Sequence, residues 1–112
     1  MSSIAIEAGL SVKALLVHRA LASLQEELEA IDYYNQRADV SKDESLKAVL
    51  IHNRDDEVEH ALMLLEWLRR NMPEFDVQLG KILSHPGSIV DLAKGKIPSD
   101  DNGKGLGLAN LK

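Results

Sequence analysis

The chain has 112 residues, 18 acidic against 13 basic side chains, a formal net charge of −5, no cysteine and 4% aromatic residues. That length fits one small domain, and the negative charge argues against a nucleic-acid or anionic-membrane partner. The absence of cysteine excludes a disulfide scaffold, a cysteine zinc site, an iron–sulfur cluster and a thiol nucleophile.

In chain order, residues 1–10 carry neither a basic segment nor a long apolar one, so no secretory signal is expected. No apolar run approaches the roughly 20 residues needed to span a bilayer, and the expected address is cytoplasmic. The first helix is expected from about Ser11 to Ala38. A short link around Asp39–Val40 then folds the chain back. Ser41-Lys42-Asp43-Glu44 reads as a capping box opening a second helix, which should run to about Arg70 or Asn71, where Pro73 forbids continuation. A short third helix is expected near Glu74 to Leu83. Residues 85–112 hold Pro86, Pro98 and five of the seven glycines, and residues 85–105 read as a flexible tether.

The fold class is therefore all-α: a two-helix antiparallel hairpin with a short C-terminal helix. A hairpin cannot cover its own apolar stripes, and a chain this small with few aromatics is marginal alone. Pairing two hairpins would complete a four-helix bundle.

On a helical projection the apolar arc of the first helix holds Val12, Leu16, Ala20, Leu24, Ala30, Ile31 and Ala38, and Glu27 and Tyr34 fall inside it. The arc of the second holds Leu46, Leu50, Ala61, Leu64 and Leu68, with Asn53, Glu57 and His60 near its centre. Burying unpaired carboxylates costs several kcal/mol. His60 supplies one proton at most against two carboxylates, and a metal cation resolves the imbalance; the other reading of the same residues is a buried Glu–His ion pair that fixes helix register. Glu57-x-x-His60 sets a carboxylate and an imidazole one turn apart on one face. Counted from the expected link, Glu27 and Glu57 are offset by about three residues, roughly 4.5 Å along the bundle. A di-iron bundle needs a glutamate from each of two helices and a Glu-x-x-His from each of the other two. This chain supplies one of each, so a two-fold dimer would supply the full set. Trp67 reads as packing, and His18 and His52 as surface residues.

Leu24-Gln25-Glu26-Glu27-Leu28-Glu29-Ala30-Ile31-Asp32-Tyr33-Tyr34-Asn35-Gln36-Arg37, His52-Asn53-Arg54-Asp55-Asp56-Glu57-Val58-Glu59-His60 and Leu65-Glu66-Trp67-Leu68-Arg69-Arg70 resemble the encapsulated ferritin family over about residues 18–84. The resemblance implies a half-ferritin hairpin over residues 1–84 and a ferroxidase with an iron (di-iron) centre shared by two subunits. It assigns Glu27, Glu57 and His60 as catalytic ligands and Tyr34 as the aromatic beside them. It makes Glu26 and Glu29 a secondary metal site, next to which Tyr33 stands where the family often has tryptophan. It also implies a ring of five dimers inside an encapsulin shell, where the oxidised iron is stored. Leu106-Gly107-Leu108-Ala109-Asn110-Leu111 resembles the family's cargo-targeting peptide, making residues 103–112 the expected contact with the shell protein. Two other readings fit the residues: a non-enzymatic dimerisation module, and a di-metal protein with peroxide-consuming or other metal chemistry.

Overall fold

A computed structural model describes residues 6–96 of the chain. Its elements in order are α1 (Val12–Val40), α2 (Glu44–Asn71), α3 (Pro73–Ile82) and α4 (Ile89–Ala93). There is no strand among the described residues, and the all-α expectation holds. The described residues divide between Asn71 and Met72 into two compact units, the first holding α1 and α2, the second α3 and α4.

In the first unit α1 opens where Ser11 Oγ accepts the Ala14 N–H at 3.0 Å, satisfying a donor that has no partner within the helix. It runs two residues beyond the expected Ala38 and closes with the Ser41 N–H bonded to the Arg37 carbonyl at 3.1 Å. This changes the start of α2. Ser41 ends α1, so it is not the N-cap of α2. Asp43 takes that place, its Oδ2 accepting from the Leu46 N–H at 2.8 Å. The expected capping box of Ser41 and Glu44 is replaced by a single aspartate cap, and the link between helices is Ser41–Asp43 rather than Asp39–Val40. At the far end Asn71 Nδ2 donates to the Trp67 carbonyl at 2.9 Å. Arg69 and Arg70 lie in the last turn, where their charge suits the helix dipole, and both also grip Glu66, at 2.8 and 2.7 Å.

The second unit begins with Pro73 at the first position of α3, where its fixed φ and missing N–H do no harm. α3 ends at Ile82 with Leu83 as its C-cap, followed by Ser84 in the left-handed region (φ 62°), a common helix stop. The His85 ring Nε2 bonds the Gly80 carbonyl at 3.0 Å. α4 lies in the stretch whose glycines and prolines suggested only tether. Ser88 Oγ caps it, accepting from the Asp91 N–H at 3.3 Å, and Leu92 is buried.

The hairpin's buried side chains are Ala20, Ala38, Ala61 and Leu68, and of these only Leu68 is both large and fully enclosed. Val12, Leu16 and Leu46, placed by the projection toward a core, are exposed in the single chain, Val12 by 77%. Two helices present one seam to each other, and apolar residues flanking that seam have nothing to cover them. Leu28, Leu62 and Met63 are exposed as well.

Candidate metal centre

Glu27 lies thirteen residues before α1 ends at Val40, and Glu57 thirteen residues after α2 begins at Glu44. In an antiparallel pair this sets the two carboxylates level. The later link removes the three-residue offset expected from the sequence. His60 follows Glu57 by one turn and therefore projects from the same side of α2.

The three side chains converge. His60 Nδ1 is 3.0 Å from Glu57 Oε1 and 3.6 Å from Glu27 Oε2, and one ligand atom from each residue lies within 4.8 Å of the other two. This is the one cluster of three or more such groups among the described residues. Glu27 and Glu57 are half-buried, whereas the His60 side chain is 50% exposed. The projection had turned all three toward the core. In the single chain they line a partly open face.

The electrostatics are unbalanced. Burial, then the neighbouring charge of Glu57, raises the Glu27 carboxyl above its ordinary range. The hydrogen bond that His60 Nδ1 donates to Glu57 raises the imidazole, with the Glu27 charge adding to it. Two carboxylates thus face one imidazole, and Glu27 Oε2 is buried without a hydrogen-bond partner. His60 Nδ1 at 3.6 Å is too distant to serve it. A lone pair held out of water in this way is stabilised by a cation. Carboxylate oxygens with one imidazole nitrogen form a donor set suited to iron, and to manganese or zinc. The three residues fit a metal ion.

The remaining expected site residues stand apart from this cluster. Tyr34 is half-buried on α1, seven residues on from Glu27 and about 10 Å further along the axis. Glu26 is exposed and Glu29 half-buried, and neither joins the cluster. Tyr33 is exposed, with the Arg37 guanidinium 5.6 Å from its ring centre. The sequence reading missed the hydrogen bond from Arg54 Nη1 to Asn35 Oδ1, 3.1 Å, which crosses between the helices. No spacing rule connects residues nineteen apart, because the pairing depends on how the hairpin closes.

The Leu106 to Leu111 segment lies outside the described residues. Among the described residues no helix is long and apolar enough to cross a membrane.

A family model described as EncFtn-like matches residues 3–86 of the chain. The chain is 47% identical over 94 residues to a ferritin-like protein of Thermotoga maritima, covering 83% of this chain and 82% of that protein. It is 44% identical over 104 residues to an encapsulated ferritin-like protein of Rhodospirillum rubrum, covering 80% and 74% of the two. Among solved structures it is similar to a crystal structure of a Nitrosomonas europaea protein, with a TM-score of 0.69 and 55% identity over 71% of this chain and 89% of that one.

Proposed function

The chain belongs to the encapsulated ferritin (EncFtn-like) family, and from that premise we propose that it is a ferroxidase, oxidising Fe(II) to Fe(III) with O₂ as electron acceptor. The observation that carries this reading is the group of Glu27, Glu57 and His60, converging within 4.8 Å with one buried carboxylate oxygen lacking a donor.

One hairpin supplies half of the ligand set that a di-iron bundle needs. Two hairpins related by a two-fold axis supply two Glu27, two Glu57 and two His60, and the exposed leucines beside the site are covered at the same time. Fe(II) is the substrate. Glu27 and Glu57 neutralise its charge, His60 gives it one nitrogen, and each iron surrenders one electron to O₂. The two irons sit together so that electrons leave in pairs. Tyr34 acts as an outer partner that orients a ligand carboxylate from the neighbouring hairpin. Glu26 and Glu29, one turn apart, draw cations toward the centre and form the secondary metal site.

An open bundle encloses no space for a mineral, so storage falls to an outer container. The family relation supports an encapsulin shell as that container, with residues 103–112 as the docking segment, three leucines filling a groove on its wall. The working form is then a ring of dimers in the lumen of an encapsulin nanocompartment in the cytoplasm.

The test is aerobic Fe(II) oxidation, followed by ferric absorbance, of the full chain and of Glu57→Ala and His60→Ala. Both variants should be slower by at least about tenfold, since even outer partners of metal ligands contribute that much. Variants as fast as the parent would remove these residues from the reaction.

A further inference from the structure

We infer that Arg54 is a positioning residue for the metal centre: bonded to Asn35 across the hairpin, it holds α1 at the rotation and register that bring Glu27 to Glu57 and His60. The inference rests on the proposed metal site and adds the device that assembles it.

The Arg54 guanidinium is fixed on two sides. Its Nε and Nη2 both donate to Asp55 Oδ1 at 3.1 Å, which sets the plane of the fork. The remaining arm, Nη1, points across the seam to Asn35 Oδ1 at 3.1 Å. Arginine is the side chain suited to this, because its donors lie in one rigid plane and its charge is permanent. The Arg54 side chain is 32% exposed and Asn35 is exposed, so the bond lies at the edge of the seam and acts through its direction.

The bridge runs on a diagonal. Asn35 lies five residues before the end of α1 and Arg54 ten residues into α2, a mismatch that the long arginine side chain spans. Rotating or sliding either helix breaks so oblique a bond. Arg54 precedes Glu57 by one turn, so the bond acts beside the ligands.

Apolar packing within the single chain sets this register only in part. The buried residues of the hairpin are three alanines and Leu68, and Leu68 stands eleven residues beyond Glu57. Alanines make shallow knobs, and Leu24, Ile31, Leu50 and Leu64 are only half-buried in the single chain, so the packing that resists sliding is incomplete. The link Ser41–Asp43 ties the helices at one end only. A directional polar contact between that link and the site supplies what packing leaves open, much as a buried polar side chain fixes register in a coiled coil.

The chain has no cysteine, so a single introduced pair can be labelled cleanly. Ser23 on α1 and Glu59 on α2 are both exposed. Spin labels at Ser23→Cys and Glu59→Cys, in full chain diluted with unlabelled chain, report the intrachain distance between helices. The parent should give one narrow distribution, retained in Asn35→Asp, which keeps an acceptor oxygen. Asn35→Leu should broaden it, as should Arg54→Lys, which cannot hold Asp55 and Asn35 together. Co(II) titration of the same proteins, followed by the visible ligand-field band, should show weakening by about tenfold in Asn35→Leu and Arg54→Lys, with Asn35→Asp close to the parent. Unchanged distances in both disrupting variants, or broadened distances with undiminished Co(II) binding, would overturn the positioning role. A parent that binds no Co(II) would sink the metal reading, and the distances would still decide whether Arg54 holds the hairpin.

Discussion

Glu27 and His60 bind protons more tightly than ordinary groups of their kind, for opposite reasons. Burial raises Glu27, and the hydrogen bond His60 donates to Glu57 raises His60. A cation bound there as proposed would compete with protons at both groups. Metal affinity should therefore rise with pH and go on rising beyond 6.5, the ordinary histidine value. Co(II) calorimetry in buffers of different ionisation enthalpy checks this, and a flat profile would contradict it. The metal-free chain behaves in the opposite sense. The raised His60 value gives stability that is full below 6.5 and lost as pH climbs through the folded value. Glu66 reverses the sign again, held at about 2 first by Arg69 and then by Arg70. Its contribution is present above the ordinary 4.5 and lost as pH falls toward 2, and it is small because the pair is exposed. The Glu57–His60 contact was legible as a three-residue spacing. The orphaned oxygen of Glu27 was not, since it depends on what the facing helix fails to offer.

Helix boundaries show where local signals compete. Ser41 and Glu44 have the spacing of a capping box, but α1 runs on to Val40 and uses Ser41 to close itself. Asp43, inside the same four residues, then caps α2. Asp43→Ala should lower stability by about 1 kcal/mol, the usual worth of an N-cap. Ser41→Ala should lower it less, its hydroxyl reaching only the Asp43 carbonyl at 3.3 Å. Urea unfolding of the two variants decides between the caps, and a larger loss for Ser41→Ala would restore the capping box. α4 was illegible because five residues give too little periodicity to outweigh the glycines and prolines around them.

The single chain leaves a hairpin with one large enclosed side chain and with Leu16, Leu28, Leu46 and Leu62 exposed. A second hairpin would cover them. Native mass measurement of the full chain should find even-numbered assemblies, dimers or multiples of them, and a monomer at micromolar concentration would remove the shared-centre reading. Co-expression with an encapsulin shell protein should recover the full chain in the shell, whereas a chain ending before Gly103 should be left out. Unchanged loading of the truncated chain would refute the docking role of the tail.

The amino-acid order alone determined the all-α class, the two long helices, the third helix after Pro73, and the pairing of Glu57 with His60, because helical periodicity and proline act within a few residues. Tertiary structure decided that Glu27 stands level with Glu57, that Asp43 rather than Ser41 caps α2, and that Arg54 reaches Asn35. Each of these depends on where the hairpin turns and how one helix is rotated against the other. Shifting the turn by two residues displaces every cross-helix pair by several ångströms, a distance that separates a metal site from two unrelated carboxylates.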